Sequence, residues 1–333
     1  MKSTRLFSVA LLSLLFCSCD NKPSPTPAVP EKTASAQPAD SKDKKTVIGF
    51  SQIGAESAWR SAETESIRGE AARRGVDLRF SDAQQKQENQ IKALRSFIAQ
   101  KVDAIILAPV VETGWTPVLI EAQQAKIPVI LVDRGIKVKE AGLYASLVAS
   151  DFVEEGWHAA EWLAKKMDNK GNIVQLEGTV GSAPAIDRRN GFERVLAKHP
   201  AMKIILTQSG DFTRAKGKEV MEAFLKARAK NIQAVYAHND DMALGAIQAI
   251  EEAGLKPGTD IIVVSIDGVK SAFEAIVAGK LNCSVECNPL LGPTVFDLFD
   301  SIRNGAVPPQ KVVMHDEIYD QSNAAAALPT RQY

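Results

Sequence analysis

Residues 234–250 read AVYAHNDDMALGAIQAI and carry the strand-to-helix handover on which the architecture rests. An apolar run, Ala234, Val235 and Tyr236, stops at a polar knot, His238 to Asp241. Apolar residues then return at threes and fours as Met242, Leu244, Ala246, Ile247 and Ile250, the spacing of an amphipathic helix. A strand thus hands polar groups to its carboxyl end just where a helix begins. In open α/β sheets the crevice outside the carboxyl ends of the strands is where ligands sit, so the knot is a candidate site. A plainer reading stands beside it, in which Asn239 or Asp240 is the N-cap of the following helix.

The same grammar repeats along the chain. VIGFS, VDLRF, VDAIILAP and IPVILVD alternate with helical patterns reaching to about Arg74, starting at Gln87 and starting at Gly114. After a break, NIVQLEG, MKIILTQ, IQAVYA and DIIVVSID form a second series. Alternation of this kind builds parallel sheets covered by helices on both faces. Two series predict an α/β protein of two Rossmann-like lobes. Several strands end in charge: Asp133 and Arg134 close IPVILVDR, and Asp267 closes DIIVVSIDG.

Bulk properties narrow the function. The chain has 333 residues, 45% of them apolar and 24% charged, with 40 Lys plus Arg against 40 Asp plus Glu. That balance offers no basic excess for nucleic acid. Dinucleotide, phosphate-loop and nucleophile-elbow motifs are missing, and KGK at Lys216 to Lys218 is too short for a phosphate loop. The four histidines, His158, His199, His238 and His315, lack ligand-like spacing, and no calcium-loop pattern occurs, so neither a metal nor another cofactor is expected. Cys283 and Cys287 in an extended LNCSVEC would lie about 13 Å apart, beyond the roughly 4.4–6.8 Å a disulfide spans. They read as free thiols.

The amino terminus carries a compartment signal. A positive start with Lys2 and Arg5, a short apolar stretch, and Phe16-Cys17-Ser18-Cys19 resemble a bacterial lipoprotein signal over residues 1–18, implying lipidation of Cys19. A signal without lipidation and a short anchor are the alternatives. Residues 19–45 are rich in Pro, Ser, Ala, Thr and Lys and cannot bury a core, so they read as a disordered tether.

Taken together, SQIGAESAWR, QQKQENQIKALRSFIAQ, APVVETGW, QLEGTVGSAPAIDRRNGF, TQSGDFTRAKGKEVMEAF and YAHNDDMALGAIQAIEEAGLKPG resemble, in order, the periplasmic sugar-binding proteins of ribose- and galactose-type ABC importers. The galactofuranose-binding branch is nearest. The likeness spans residues 46 to 315 and implies a type I periplasmic binding protein with a hinge between lobes. It places residues 46–150 with 289–314 in the N-terminal lobe and 151–288 with 315–333 in the C-terminal lobe. The crossings fall near Ser150, Asn288 and His315, and a helix over 290–303 returns to the first lobe.

Sugar hydroxyls both donate and accept around a ring with apolar faces, so recognition needs planar polar groups and aromatic rings. Asp133, Asp267 and Asn239 suit hydroxyl donors, Arg134 and Arg188 supply forks of donors, and Trp59 and Phe212 suit the ring faces. The resemblance carries these seven over as ligand-binding residues, and adds Glu56, Ser57 and Arg60 from the galactofuranose-binding branch. Plainer roles compete: a surface ion pair for Asp133 with Arg134, a turn for Asp267-Gly268, core packing for Trp59, though its neighbour Arg60 argues against full burial. Trp157 and Trp162 read as packing residues. Arg188 and Asp267 are expected to be removable with little loss of fold. Cys287 stands where many pyranose binders carry an amide, which favours an aldohexose in furanose form.

The implied function is capture of a monosaccharide in the periplasm by a monomeric, membrane-anchored protein that delivers it to an ABC permease, without enzymatic turnover. A sugar sensor feeding a chemoreceptor or kinase is the alternative. A repressor core shares this fold, but would need a helix-turn-helix where the chain has its signal and tether.

Overall fold

A computed structural model describes residues 45–228 and 231–333; the lipidation expected at Cys19 and the signal and tether segments lie outside them. The first series runs β1 (Val47–Gln52), α1 (Ala58–Arg73), β2 (Asp77–Asp82), α2 (Gln87–Gln100), β3 (Ala104–Leu107), α3 (Thr116–Gln124), β4 (Val129–Val132) and β5 (Ser146–Ala149). The second runs α4 (Phe152–Lys166), β6 (Gly171–Glu177), α5 (Ala183–Leu196), β7 (Met202–Ser209), α6 (Arg214–Arg228), β8 (Ala234–Ala237), α7 (Asp240–Glu252), β9 (Ile262–Asp267), α8 (Lys270–Val277) and β10 (Cys283–Glu286). The chain ends with α9 (Gly292–Arg303), β11 (Lys311–Val313), β12 (Ile318–Asp320), α10 (Ala324–Ala327) and a short 3₁₀ turn.

Two six-stranded sheets result, ordered β11-β5-β4-β3-β1-β2 and β12-β10-β9-β8-β6-β7. Within each series the winding is the same: the second strand lies outside the first, and the third starts the other half of the sheet. Every pairing is parallel except β10 with β12. The central strands β3, β4 and β8 are apolar along their whole length because both faces are covered. In β3 and β4 the alternation is visible: Ile106, Ile130 and Val132 pack with Ile67, Val295 and Phe296, whereas Ile105, Leu107, Val129 and Leu131 face Leu94, Phe97, Val118 and Leu119. The C-terminal sheet is enclosed by one larger core that includes Phe192, Tyr236, Met242 and Phe273.

After β10 the chain returns to the N-terminal sheet. Helix α9 packs on α1, and β11 then pairs with β5. A Cβ on Gly292 would stand 2.3 Å from the carbonyl oxygen of Ser66, so glycine is what lets α9 approach α1 this closely. Pro293 follows in the helix's first turn, a position that needs no N–H. The helices expected to begin at Gly114 and Leu290 start two residues later. Trp162 packs against the C-terminal core and donates to Asp320 at 2.9 Å. Trp157 differs from expectation: it lies on the outer side of α4, 39% exposed, edge-on to His158. Among the described residues no helix is long and apolar enough to cross a membrane, and Cys283 and Cys287 are buried free thiols.

Candidate functional site

The carboxyl ends of both sheets converge on one small cavity. The turn after β1 and the start of α1 contribute Glu56, Ser57, Trp59 and Arg60; the end of β4 contributes Asp133 and Arg134. From the other sheet come Arg188 on α5, Phe212 after β7, Asn239 at the head of α7, Asp267 at the end of β9 and Cys287 after β10, with Pro184 beside them. All ten residues singled out in the sequence therefore line a single space.

Local backbone chemistry aims these groups. Ser57 caps α1, accepting from the N–H of Arg60 at 3.1 Å. Asn239 caps α7, accepting from Met242 N–H at 3.0 Å while its amide donates to the Phe212 carbonyl at 3.1 Å. Cap and cavity residue are thus the same side chain, and the two readings of that position are compatible. Asp133, Phe212 and Asp267 take φ values of 60°, 61° and 130°, which cost a non-glycine residue free energy and concentrate at binding sites. The Phe212 ring lies so close to Gly178 that a Cβ there would sit 1.9 Å from it.

Arg60 is the hub on the N-terminal side. It donates to Glu56 at 3.1 Å, to Asp133 at 2.6 Å and to Glu63. Burial works against its charge, yet these three carboxylates raise its pKa well above the ordinary value. That matching is why Arg60 and Trp59 are both buried, where the sequence argued against it. Glu63 has burial as its dominant influence and is pushed up to about 7 despite Arg60. Arg134, desolvated and beside Arg60, is pushed down to about 10. Asp133 and Arg134 are not a surface pair: both are buried and approach to 3.4 Å.

On the C-terminal side Arg188 donates to Glu155 at 2.7 Å and to the His238 carbonyl at 2.5 Å, and stands 3.7 Å from Asp267. Burial lowers and Glu155 raises its pKa, the net direction being upward. Burial raises the Glu155 and Asp267 carboxyls and holds His238 well below its usual range. Arg188 is therefore a buried counter-ion as well as a cavity wall. Removing it strands two carboxylates, so the expectation of little loss of fold does not suit the structure.

Aromatic rings complete the walls. The Arg60 guanidinium lies 4.7 Å from the Trp59 ring centroid, and Arg134 lies 5.2 Å from that of Phe212, on the opposite lobe. The indole N–H of Trp59 donates to the Cys287 carbonyl at 2.5 Å, another contact between lobes.

Two polar atoms at the cavity decide its chemistry. Glu56 Oε2 is buried with no hydrogen-bond partner among the described residues, and Arg134 Nε, buried too, has only a 3.4 Å ion-pair contact with Asp133 that falls short of a hydrogen bond. An acceptor and a donor left unmade in a dry space are costly, and a hydroxyl, which donates and accepts, satisfies both kinds. The cavity wall carries as many acidic residues, Glu56, Asp133 and Asp267, as basic ones, Arg60, Arg134 and Arg188, a formal balance that suits a neutral polyol better than an ion. Among the described residues no cluster of His, Cys, Asp and Glu is placed to hold a metal.

Sequence reasoning passed over Glu63 and Glu155, which stand behind the arginines. Glu63 had a signal: it lies three positions after Arg60 on α1, the spacing that puts two side chains on one helix face. Glu155 had none, because its partner is 33 positions away on another helix.

Residues 48–291 match the periplasmic binding protein domain family. The chain is 54% identical over 270 residues to the galactofuranose-binding protein YtfQ of Escherichia coli, covering 80% of this chain and 85% of that protein. It superposes with a TM-score of 0.84, at 54% identity and covering 86% of this chain and 96% of the other, on the periplasmic binding protein component of the arabinose ABC transporter from Shewanella sp. ANA-3, bound to α- and β-L-arabinofuranose. A Mycobacterium smegmatis structure in complex with β-D-fucofuranose gives a TM-score of 0.84 at 51% identity, covering 86% and 95%.

Proposed function

Since this chain belongs to the periplasmic binding protein family, we propose that it is the solute-binding component of an ABC sugar importer and holds one monosaccharide in furanose form, galactofuranose first, between its lobes. It is a binding protein and not an enzyme. The observation that carries the reading is the cavity lined by three acidic and three basic side chains with two aromatic rings, where a buried Glu56 oxygen has no hydrogen-bond partner and Arg134 Nε has only an ion-pair contact, both of which a hydroxyl satisfies. Relatives at half identity or more whose ligands are galactofuranose, arabinofuranose and fucofuranose support the five-membered ring. So does Cys287, which offers no side-chain amide at the cavity wall.

Ligand bonds from both lobes form together only when the lobes are closed, so the sugar stabilises closure by its differential affinity and the permease receives a closed shape. A furanose presents a different fan of hydroxyls and an exocyclic arm. A site built for it leaves buried donors unpaired when a pyranose enters, which makes discrimination steep, up to about 10⁴-fold. The protein is periplasmic, and we extend the reading to a monomer tethered through lipidated Cys19, on the strength of the Ser18-Cys19 signal. The lobe division at 150, 288 and 315 belongs to the same proposal.

Crystals grown with D-galactose test the ligand. The expected density is a five-membered ring between Trp59 and Phe212. A well-ordered pyranose there refutes the furanose reading, and absence of any sugar binding by calorimetry across galactose, arabinose and fucose refutes the sugar reading itself.

A further inference from the structure

The start of α1 is held from across the cleft. Asp241, in the first turn of α7 on the C-terminal lobe, accepts through Oδ2 from the backbone N–H of Ala58, the first residue of α1 on the N-terminal lobe, at 2.8 Å. Its other oxygen pairs with Arg214 of its own lobe at 2.9 Å. Asp241 is 6% exposed and is not among the residues lining the cavity.

We propose that Asp241 is a positioning residue for sugar binding, which sets affinity without touching the sugar by capping α1 from the opposite lobe; this rests on the sugar-binding reading above. The physical basis is the helix terminus. The first N–H groups of a helix have no partner within it and carry partial positive charge, so a carboxylate placed there makes a charge-assisted bond and also meets the helix dipole. Ser57 serves the N–H of Arg60, and Asp241 serves that of Ala58. The carboxylate sits at the amino end of α7 as well, so two helix termini from opposite lobes converge on one charge.

The capped turn carries Ser57, Trp59 and Arg60, three of the cavity's walls. Opening the lobes breaks the Ala58 bond, whereas the Arg214 bond, within one lobe, survives. Asp241 therefore favours the closed form and orients the α1 turn in it. Where the binding-competent form is a minor population, apparent affinity scales with that population, so the latch appears in the dissociation rate. Contacts made after the lobes meet change dissociation more than association.

The test compares Asp241→Ala, Asp241→Asn and Arg214→Met in the full chain, using L-arabinose and D-galactose as probes in stopped-flow tryptophan fluorescence. Asp241→Ala is expected to dissociate about 10-fold faster, with association and the melting temperature without sugar unchanged. Asp241→Asn, which keeps an acceptor and loses the charge, falls between, and Arg214→Met stays within about twofold of the parent. Unchanged dissociation in Asp241→Ala, or faster dissociation accompanied by a lower melting temperature without sugar, overturns the proposal. If the parent binds neither probe, the sugar reading fails, and the latch is then judged by hydrogen exchange at the Ala58 amide, which must quicken in Asp241→Ala and overturns the latch if it does not.

Discussion

Replacing Arg188 by methionine asks whether the cavity's arginines are ligand groups alone or also part of the folded core. Arg188 is buried, with its guanidinium spent on Glu155, the His238 carbonyl and Asp267. Methionine fills much of the same volume and pairs with none of them. Breaking a buried ion pair from one side costs about 3–5 kcal/mol, because the stranded charge stays desolvated. At the roughly 2 °C per kcal/mol expected for a protein of this size, melting without sugar falls by about 6–10 °C at pH 8. The loss must depend on pH. Burial already raises the Glu155 and Asp267 carboxyls, and without Arg188 they rise further. A carboxyl whose pKa is higher folded than unfolded holds its proton more tightly in the native state. Its contribution is full below the unfolded pKa and is lost as pH rises through the folded one. The variant is thus closest to the parent at pH 5 and furthest at pH 8. Sugar affinity drops in parallel by about 2–5 kcal/mol. Differential scanning calorimetry at the two pH values, with isothermal titration alongside, provides the readings. An equal loss at both values, or none at pH 8, refutes the idea that Arg188 is a buried counter-ion.

Other outcomes follow from the same geometry. Asp316, between β11 and β12, accepts from the N–H of Asn288, between β10 and α9, at 2.9 Å. Burial and then neighbouring Glu155 push it up to about 7, so stability contributed below about pH 4 is lost as pH rises toward 7. Asp316→Asn keeps an acceptor and should flatten that slope in denaturant titrations between pH 5 and 8; an unaltered slope excludes Asp316 as its source. Trp59→Phe keeps a ring for stacking and leaves the buried Cys287 carbonyl unpaired, a cost of about 1–3 kcal/mol, to be seen as roughly 5- to 150-fold weaker binding; parent affinity in this variant removes the interlobe bond from the account. Cys19→Ala should release the protein from membranes, and equal partitioning of both forms, with no lipid mass on the parent, refutes anchoring at Cys19.

The fold was legible because its signals are local. Runs such as AIIL and VILV are apolar on both faces, which only a doubly covered sheet tolerates, and each hands over to a helix within a few residues. The return of α9 to the first sheet was not legible from periodicity. It depends on Gly292 meeting Ser66 and on Lys311–Val313 pairing with β5, contacts between segments more than 150 positions apart, and only resemblance to a family supplied it.

The site divides along the same line. Residues at strand ends and helix starts, such as Asp133, Asn239 and Asp267, announce themselves because a polar group ending an apolar strand has few other reasons to be there. The groups behind them do not. Glu155, Glu63 and Asp241 read as ordinary helix charges, and two of them sit near helix starts, where acids are common anyway. What sets them apart is burial: Glu63 is 0% exposed and Glu155 2%. A carboxylate is driven that deep only against a compensating charge, so the three arginines that face the cavity fix where these acids must lie. Each lobe then holds its own arginine on its own buried acid, Arg60 on Glu63 and Arg188 on Glu155. Neither pairing depends on the other lobe, so both donor forks stay aimed when the lobes part, and sugar meets groups already oriented on whichever lobe it reaches first. Contacts between lobes, such as Ala58 with Asp241 and Trp59 with Cys287, then govern closure and the final setting of the α1 turn.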